Sequence, residues 1–270
     1  MPQPLHIQNT HIEVWHTANP RSTKQPAISV VVPVLQEEKI VRRTLEVFTP
    51  ELCAEFEIEL IVSDGGSTDS TISIAQEYAD IIVQHKENRR QTISEGRNQG
   101  ALQARGKCLV FINGDTIPAE PKVFFTFVQD WVYSKGKYAN YGAMASPVEV
   151  TPSERKWSDV IFHNFFNNYL KLISMMGFGV GRGECQIIRN AVFKQVGGYK
   201  NELAAGEDFD LFNRIAKHHR IAIANELLVY ESPRRYRKFG YARILWSWFM
   251  NWLGALFLNK SISKEWEPVR

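Results

Sequence analysis

Short apolar runs alternate with amphipathic stretches along the first half of this chain. Four runs rich in branched aliphatic residues have the length of buried strands, and they cover residues 28–34, 58–62, 80–84 and 107–112. The stretches that follow them place apolar side chains at helical spacing, over residues 37–48, 70–78, 94–105 and 121–133. This order predicts an α/β fold with a Rossmann-like, mostly parallel sheet and helices on both faces.

The alternation weakens after about residue 138. We expect a strand within residues 139–150, a long aromatic-rich helix over 157–176, and a loop with glycine at every second position from 177 to 183. A strand over residues 184–189 and helices over 191–196 and 208–218 follow. No stretch has the composition of a linker, so the pattern predicts a single main domain.

That domain is predicted over residues 27–230, between an N-terminal arm (1–26) and a C-terminal extension (231–270). We interpret the arm as a short edge strand or a loose segment. With 44% apolar and 23% charged residues, the 270-residue chain has the composition of a packed globular protein. Residues 1–26 lack the charged-then-apolar pattern of a secretion signal, so a cytoplasmic location is expected.

The few cysteines and histidines give little sign of metal chemistry. Cys53, Cys108 and Cys185 lie far apart in the sequence, as expected of buried, reduced thiols. His163 and the adjacent pair at 218–219 lack a third ligand at a usable spacing. We therefore interpret them as ordinary core or surface histidines.

Charge is distributed unevenly along the chain. The net charge is +3, but residues 231–270 hold eight Lys or Arg against three Glu, which leaves the rest of the chain at −2. A basic extension on a slightly acidic body suggests an anionic partner such as a diphosphate or a lipid headgroup. The cluster at residues 234–238 is interpreted as a phosphate or headgroup site, with a solvated basic loop as the alternative. No nucleic-acid partner is expected.

The C-terminal extension contains an apolar segment, residues 244–258, interrupted only by Ser247 and Asn251. As a helix it would measure roughly 22 Å, which is short for a bilayer core of about 30 Å. Its aromatic content and basic flanks predict an amphipathic helix that lies in the membrane interface, so that residues 239–258 attach the protein peripherally to the inner face of the cell membrane. The alternative is a helix packed on the domain or at a dimer contact.

Acidic turns follow two of the predicted strands. Asp64 lies just past residues 58–62 and is followed by two glycines, and Asp115 lies just past residues 107–112. Carboxylates at the carboxyl ends of parallel strands lie at the edge where ligands bind. Asp64 could accept the N–H of a uracil or guanine base, and Asp115 could hold Mg²⁺ or Mn²⁺ against phosphates. Ordinary turn and helix-capping roles are the alternatives, above all for Asp69.

A third acidic turn, at residues 206–210, opens an amphipathic helix. Acidic residues in a first helical turn are favoured by the helix dipole whatever the function. Glu207, Asp208 and Asp210 together exceed what a cap requires. A carboxylate held at this point could act as a general base toward an acceptor hydroxyl.

Five motifs in this order resemble those of family 2 glycosyltransferases, which have the GT-A fold. The motifs are Val-Pro-Val-Leu-Gln-Glu-Glu (32–38), Val-Ser-Asp-Gly-Gly-Ser-Thr-Asp (62–69), Gly-Arg-Asn-Gln-Gly (96–100), Phe-Ile-Asn-Gly-Asp-Thr (111–116) and Gly-Gly-Tyr…Gly-Glu-Asp-Phe-Asp-Leu (197–211). The resemblance covers about residues 27–230. It implies inverting transfer of a sugar from a nucleotide-sugar donor, a UDP- or GDP-sugar, with Mg²⁺ or Mn²⁺ on the diphosphate. Together with the membrane attachment predicted for residues 239–258, it suggests a lipid-linked or other cell-envelope glycan as the acceptor.

The resemblance also implies roles for individual residues. Pro33 and Glu37 would line the nucleoside pocket, and Asp64 would hold the base. Arg97 and Asn113 would lie on the donor. Asp115 would bind the metal and the diphosphate. Asp208 would be the catalytic base, with Glu207 beside it.

Two departures from the family pattern keep other functions open. The family often has Asp-x-Asp where this chain has Asn113-Gly114-Asp115, and the Gln-x-x-Arg-Trp sequence of processive synthases is absent. One alternative is a nucleotidyltransferase, which can share the fold, although the Gly-Glu-Asp turn after the glycine-rich loop argues against it. The other is a non-catalytic, membrane-associated module that binds nucleotides, which Asn113 favours.

Overall fold

The computed structural model describes residues 11–18, 25–203 and 205–258. Within these ranges the strands are β1 (Ile12–His16), β2 (Ile28–Val34), β3 (Ile58–Asp64), β4 (Ile81–His85), β5 (Cys108–Ile112), β6 (Thr116–Pro118), β7 (Tyr141–Ala145), β8 (Val148–Val150), β9 (Cys185–Arg189), β10 (Arg220–Ile223) and β11 (Val229–Glu231). The helices are α1 (Val41–Leu45), α2 (Pro50–Phe56), α3 (Thr71–Gln76), α4 (Ile93–Gln103), α5 (Pro121–Val132), α6 (Trp157–Met175), α7 (Asn190–Gln195), α8 (Glu207–Ala216), α9 (Arg234–Phe239) and α10 (Tyr241–Leu258), with a 3-10 turn at Asn225–Leu227.

Eight of these strands form one sheet in the order β1-β4-β3-β2-β5-β9-β7-β10. Strands β4, β3, β2 and β5 pair in parallel, β9 is antiparallel to β5 and β7, and β1 is an antiparallel edge strand on β4. A second, three-stranded sheet has the order β6-β11-β8. The prediction of a mostly parallel α/β sheet is therefore confirmed.

The central strands are apolar on both sides because both faces of the sheet are covered. In β2, Val30 and Val32 belong to one hydrophobic core, and the intervening Val31 belongs to the other. All seven residues of β3 are buried. A parallel strand buried on both faces reads as a continuous aliphatic run, which is why the pattern located these strands well.

The strand register brings the acidic turns to one edge. Val34 at the end of β2 pairs with Asp64 at the end of β3, and the backbone N–H of Gly65 donates to the Val34 carbonyl at 2.9 Å. Strand β5 pairs with β2 from Cys108 to Phe111, so the loop at 113–115 leaves the sheet at the same edge. This edge is where a ligand pocket is expected in an open parallel sheet.

Several predicted elements differ from the observed ones. The helix predicted over 37–48 is only α1, and a second helix, α2, begins at Pro50 with the Thr49 hydroxyl accepting from the Leu52 N–H at 3.2 Å. Proline suits the first helical turn, where its missing N–H has no partner to lose. The strand predicted within 139–150 is two strands, β7 and β8, in different sheets. Strands β6, β10 and β11 are too short for a clear pattern and were not predicted.

The N-terminal arm and the C-terminal extension both contain regular secondary structure. The arm contains an edge strand, β1, while residues 1–10 and 19–24 lie outside the described residues. The basic cluster at 234–238 is helical, as α9, rather than a loop, and Gly240 with φ 74° separates it from α10. Residues 259–270 also lie outside the described part. Among the helices that the structure describes, none has the length and hydropathy needed to cross a bilayer. The three cysteines are buried and unpaired.

Candidate active site

A pocket of about 390 Å³ lies at the carboxyl edge of the sheet. Its walls come from the loops after β2, β3 and β5, the start of α8, the glycine-rich loop at 181–183, and helices α6, α9 and α10. Among the predicted site residues, the walls include Pro33, Glu37, Arg97, Asn113, Asp115, Glu207 and Asp208. Residues that are far apart in the sequence are thus brought to one cavity of a size typical for small ligands.

The first turn of α8 is fixed in place by its neighbours. Gly206 precedes the helix with φ 79°, a conformation that glycine adopts without strain. The segment before it is held by α4, where the Ser94 hydroxyl donates to the Leu203 carbonyl at 2.9 Å and the Asn98 amide donates to the Tyr199 carbonyl at 2.8 Å. Helix α4 therefore buries polar side chains in order to position the acidic turn.

The three carboxylates of this turn have different surroundings. Glu207 forms a buried ion pair with Arg97 at 2.7 Å. Asp210 pairs with Lys200 at 2.8 Å and with Arg214 at 2.6 Å. For Asp208, no cation among the described residues lies within ion-pair distance, and its Oδ1 accepts only from the Phe209 N–H, at 2.9 Å. Asp208 is the carboxylate of this turn that faces the pocket without a neutralising partner.

Burial and the neighbouring Glu207 charge raise the pKa of Asp208 to about 8. Its hydrogen bond from Phe209 and the Arg97 charge oppose that rise but do not cancel it. The side chain is half-buried, with Oδ2 beside the glycine loop: a methyl group added at Gly183 would lie 3.4 Å from this oxygen. A carboxylate with a pKa near neutrality is well suited to accept a proton during a reaction.

Arg97 ties the acidic turn to the loop after β5. Besides its pair with Glu207, it donates to the Asn113 side-chain oxygen at 3.0 Å and to the Gly183 carbonyl at 2.6 Å. Its side chain is almost fully buried and lies 5.3 Å from the Tyr199 ring. Asn113, the amide at the position where the family often has a carboxylate, thus accepts a hydrogen bond from the Arg97 guanidinium.

Asp115 is engaged by an arginine from the C-terminal extension. The Arg234 guanidinium lies 3.2 Å from Asp115 and 2.8 Å from Glu37. Burial raises the pKa of Asp115, and the Arg234 charge opposes that rise. One guanidinium therefore holds together two of the predicted donor-binding residues, which are 78 positions apart.

Asp64 adopts a different position from the other predicted donor-binding residues. It is fully buried, and its Oδ2 accepts the N–H groups of Gly66 and Ser67, each at 2.9 Å. Its Oδ1 is buried without a hydrogen-bond partner among the described residues. Ser63 and Gly65 line the pocket on either side of it. Asp69 lies one residue before Ser70, the N-cap of α3, and its Oδ1 accepts from the N–H of Thr71, the first residue of the helix, at 3.0 Å.

A second polar cluster lies deeper in the pocket, around Arg182. This guanidinium is 3.2 Å from Glu184 and 3.2 Å from Glu231, and the Tyr236 hydroxyl donates to Glu231 at 2.8 Å. Burial and the Glu184 charge raise the pKa of Glu231. His163 packs beside this cluster, where burial and the Arg182 charge lower its pKa to about 3, as expected of a neutral core histidine.

Sequence reasoning missed the contribution of the C-terminal extension to this pocket. Arg234, Arg235 and Tyr236 line it, as do Trp248 and Asn251. The only signal in the sequence was the density of basic residues at 234–238. It predicted a phosphate or headgroup site, but it did not indicate that this site is part of the pocket. Arg182 had no signal beyond its position between two glycines.

A divalent cation would find limited ligands here. Among the described residues, no group of three or more His, Cys, Asp or Glu could hold a metal ion. Mg²⁺ is often held by one or two carboxylates together with substrate phosphates, and Asp115 offers one carboxylate at the pocket wall. The residues present thus fit a cation that the donor phosphates help to hold, once Arg234 yields at least part of Asp115.

The fold and the pocket together define an α/β protein whose carboxylates gather at the carboxyl edge of a mostly parallel sheet. The sequence pattern described as Glycosyl transferase family 2 matches residues 29–196, which is more than half of the chain. The protein belongs to this family.

Curated relatives carry the same designation. The chain is 26% identical over 193 residues to glycosyltransferase AglE of Haloferax volcanii, covering 68% of this chain and 59% of that protein. It is 27% identical over 143 residues to a PGL/p-HBAD biosynthesis glycosyltransferase of Mycobacterium bovis, covering 52% of this chain and 48% of the relative. The chain thus spans about half the length of these relatives.

Solved structures show the same GT-A fold. The mannosyltransferase PcManGT of Pyrobaculum calidifontis, in complex with GDP-Man and Mn²⁺, superposes with a TM-score of 0.59 at 17% identity, covering 80% of this chain and 60% of that one. Glucosyl-3-phosphoglycerate synthase of Mycobacterium tuberculosis, with Mn²⁺, UDP and phosphoglyceric acid, gives 0.57 at 18% identity, covering 86% and 78%. Likeness at these identities supports the fold alone, and the predicted GT-A architecture is confirmed.

Proposed function

We propose that this protein transfers a sugar from a nucleotide-diphosphate sugar to an acceptor hydroxyl with inversion at the anomeric carbon. The observation that carries the proposal is Asp208, a pocket carboxylate with no cationic partner in the described part of the chain and with a pKa raised to about 8. In an inverting displacement the acceptor oxygen attacks while its proton leaves. Asp208 accepts that proton, and the nucleoside diphosphate departs from the opposite face of the sugar.

The donor occupies the part of the pocket formed by the loops after β2, β3 and β5. Pro33 and Glu37 line the nucleoside side. Asp64 recognises the base once the turn at 64–67 opens, through its buried Oδ1, which has no hydrogen-bond partner among the residues that the structure describes. Arg97 acts on the donor by positioning Glu207 and Asn113, because its two terminal nitrogens donate to them. A UDP- or GDP-sugar is the proposed donor, in keeping with the ligands named for the two solved structures.

Asp115 is the residue that would hold Mg²⁺ or Mn²⁺. When bound, the cation would neutralise charge on the departing diphosphate. Arg234 sits at the same carboxylate, so it either contributes charge to the diphosphate or gives way as the donor binds. Any movement of Arg234 would also alter its ion pair with Glu37.

The acceptor enters from the side of α6, α9 and α10. We propose a lipid-linked or other cell-envelope glycan, because the pocket extends from Asp208 to the aromatic rings of Phe166 and Trp248 and to basic residues of α9. Residues 239–258 then attach the protein peripherally to the cytoplasmic face of the membrane, as their composition predicts.

A panel of UDP-, GDP- and dTDP-sugars tests this function. Incubated with the protein and Mn²⁺ or Mg²⁺, one donor should release its nucleoside diphosphate by slow hydrolysis, and an acceptor should accelerate the release. Release of pyrophosphate from a nucleoside triphosphate and a sugar phosphate would instead indicate a nucleotidyltransferase. Donor binding without any cleavage, with or without metal, would indicate a non-catalytic module.

A further inference from the structure

One face of α6 is apolar and exposed along its whole length. The large side chains on this face recur at intervals of three or four residues, so they form one stripe on the helix. They are Trp157, Ile161, Phe165, Tyr169, Leu172 and Met175, and we call this set the apolar face of α6. Trp157 is 83% exposed, Phe165 69% and Met175 86%. Nineteen residues of helix correspond to about 28 Å of such surface.

Neither charged residue of α6 belongs to this face. Asp159 is buried and is paired with Arg237, and Lys171 is bonded to Asn225. The polar residues that share the exposed side are small and neutral: Ser158, Asn164 and Asn168. A contiguous exposed apolar surface of this kind marks a site of contact with another protein or with a membrane.

The opposite flank of α6 packs against the C-terminal helices through aromatic rings. The Phe162 ring lies 4.4 Å from Tyr241, and the Phe166 ring lies 5.4 Å from Trp248, centroid to centroid. Phe166 and Trp248 also line the pocket that contains Asp208. The same helix that carries the exposed apolar face therefore contributes its other flank to the wall of this pocket.

Charge around this face favours an anionic surface. From residue 232 to 258 the chain has five Lys or Arg and no Asp or Glu, and two of the five, Arg234 and Arg237, form ion pairs with carboxylates elsewhere in the chain. Lys238 and Arg243 are exposed, and both lie 5.1 Å from the Phe239 ring, while Lys156 is exposed immediately before α6. Basic side chains beside an apolar, tryptophan-containing helix face are typical of segments that lie in the interface of an anionic membrane.

We propose that the apolar face of α6 is a membrane-contact surface that seats the protein on an anionic phospholipid bilayer. The helix lies along the interface with its aromatic and aliphatic side chains among the upper acyl chains, and the nearby basic residues contact the headgroups. Burial of this face by a second copy of the chain is the competing explanation, which the oligomeric state of the wild type and of a variant without these side chains tests. The inference extends the proposed membrane attachment to a surface outside 239–258, and it does not depend on the reaction.

Vesicle sedimentation tests the proposal. Wild-type protein is mixed with phosphatidylcholine vesicles that contain about one third phosphatidylglycerol, and with vesicles of phosphatidylcholine alone. The variant Ile161→Ser/Phe165→Ser/Leu172→Ser removes three large apolar side chains that are exposed in the folded protein, so it should fold normally. Val123→Ser, at an exposed residue of α5, is the matched control.

Wild type and Val123→Ser should bind the anionic vesicles, and the triple variant should bind at least about tenfold more weakly, because each side chain loses burial among acyl chains. Wild-type binding by the triple variant would overturn the proposal. So would loss of binding only in Leu245→Ser/Trp246→Ser, which would assign the contact to α10 alone. Absence of vesicle binding by the wild type would overturn it as well. The same holds if the wild type is a dimer and the triple variant is a monomer.

Donor hydrolysis, measured on the same samples without vesicles, separates this proposal from the proposed function. Equal hydrolysis by the wild type and the triple variant, together with unequal vesicle binding, supports both proposals. Vesicle binding that depends on α6 in a protein that hydrolyses no donor would leave the membrane surface standing and remove the reaction.

Discussion

Replacing Asp208 with asparagine should make the protein more stable while it abolishes turnover. Burial and Glu207 raise the pKa of Asp208 from 3.8 to about 8, which means that the folded state disfavours the ionised carboxylate. The difference between these two pKa values corresponds to at most about 5 kcal/mol at pH 8. Since the side chain is half-buried and can relax, we expect a measured gain on the order of 1–3 kcal/mol for Asp208→Asn.

The sign of this effect depends on pH. The raised pKa lies in the folded state, so wild type loses stability as pH rises from about 4 to 8, whereas the asparagine variant does not. Its advantage should therefore be larger at pH 8 than at pH 5. Asparagine also keeps an oxygen that can accept from the Phe209 N–H.

Asp210→Asn is the matched control in the same helical turn. Asp210 is paired with Lys200 and Arg214, so its loss should destabilise the protein by on the order of 1 kcal/mol or more. Urea denaturation of wild type and both variants at pH 5 and pH 8 measures these differences. If Asp208→Asn is destabilised as much as Asp210→Asn at pH 8, the argument from burial is wrong.

The catalytic half of the prediction uses the same variant. As a general base, Asp208 should contribute about 10²–10⁴-fold, so kcat for transfer should fall by that factor in Asp208→Asn while donor Kd changes little. In the wild type, kcat should rise with pH up to about 8, because only the ionised carboxylate accepts a proton. Normal turnover by the variant would remove Asp208 as the base.

Further predictions concern the rest of the pocket. Glu207→Gln leaves the buried Arg97 without its counter-ion and should cost about 3–5 kcal/mol in urea denaturation; wild-type stability would show that the pair is dispensable. Asp115→Asn should remove Mn²⁺ binding, measured by electron paramagnetic resonance in the presence of nucleoside diphosphate. Arg234→Ala should tighten Mn²⁺ binding, because it frees the Asp115 carboxylate. Unchanged Mn²⁺ affinity in both variants would place the cation elsewhere. Gly179→Ala would put a Cβ 2.3 Å from a backbone oxygen of α8, so it should lower the thermal midpoint by several degrees, and an unchanged midpoint would contradict this tight packing.

The sequence was most informative where a physical requirement leaves a periodic pattern. Strands buried on both faces, such as β2 and β3, read as aliphatic runs, and their carboxyl ends carried the acidic turns to one edge. Short elements such as β8 have too few residues to show a period, and their place depends on partners far along the chain. Local pattern cannot supply such partners.

The candidate site divides in the same way. Asp208 and Asp115 were predicted from turns next to regular elements, and the structure places both at the pocket wall. Arg234 lies 119 residues from Asp115, and no spacing rule links them. The difference between Asp208 and Asp210 depends on which cations lie within reach, and that became visible only in three dimensions.

The stereochemistry of transfer tests the central claim most directly. With an α-linked nucleotide sugar that the protein accepts, proton NMR at early times should show the β-anomer of the transferred or released sugar, and Asp208→Asn should form almost none. Formation of the α-anomer, or of β product at the wild-type rate by the variant, would contradict an inverting displacement with Asp208 as its base.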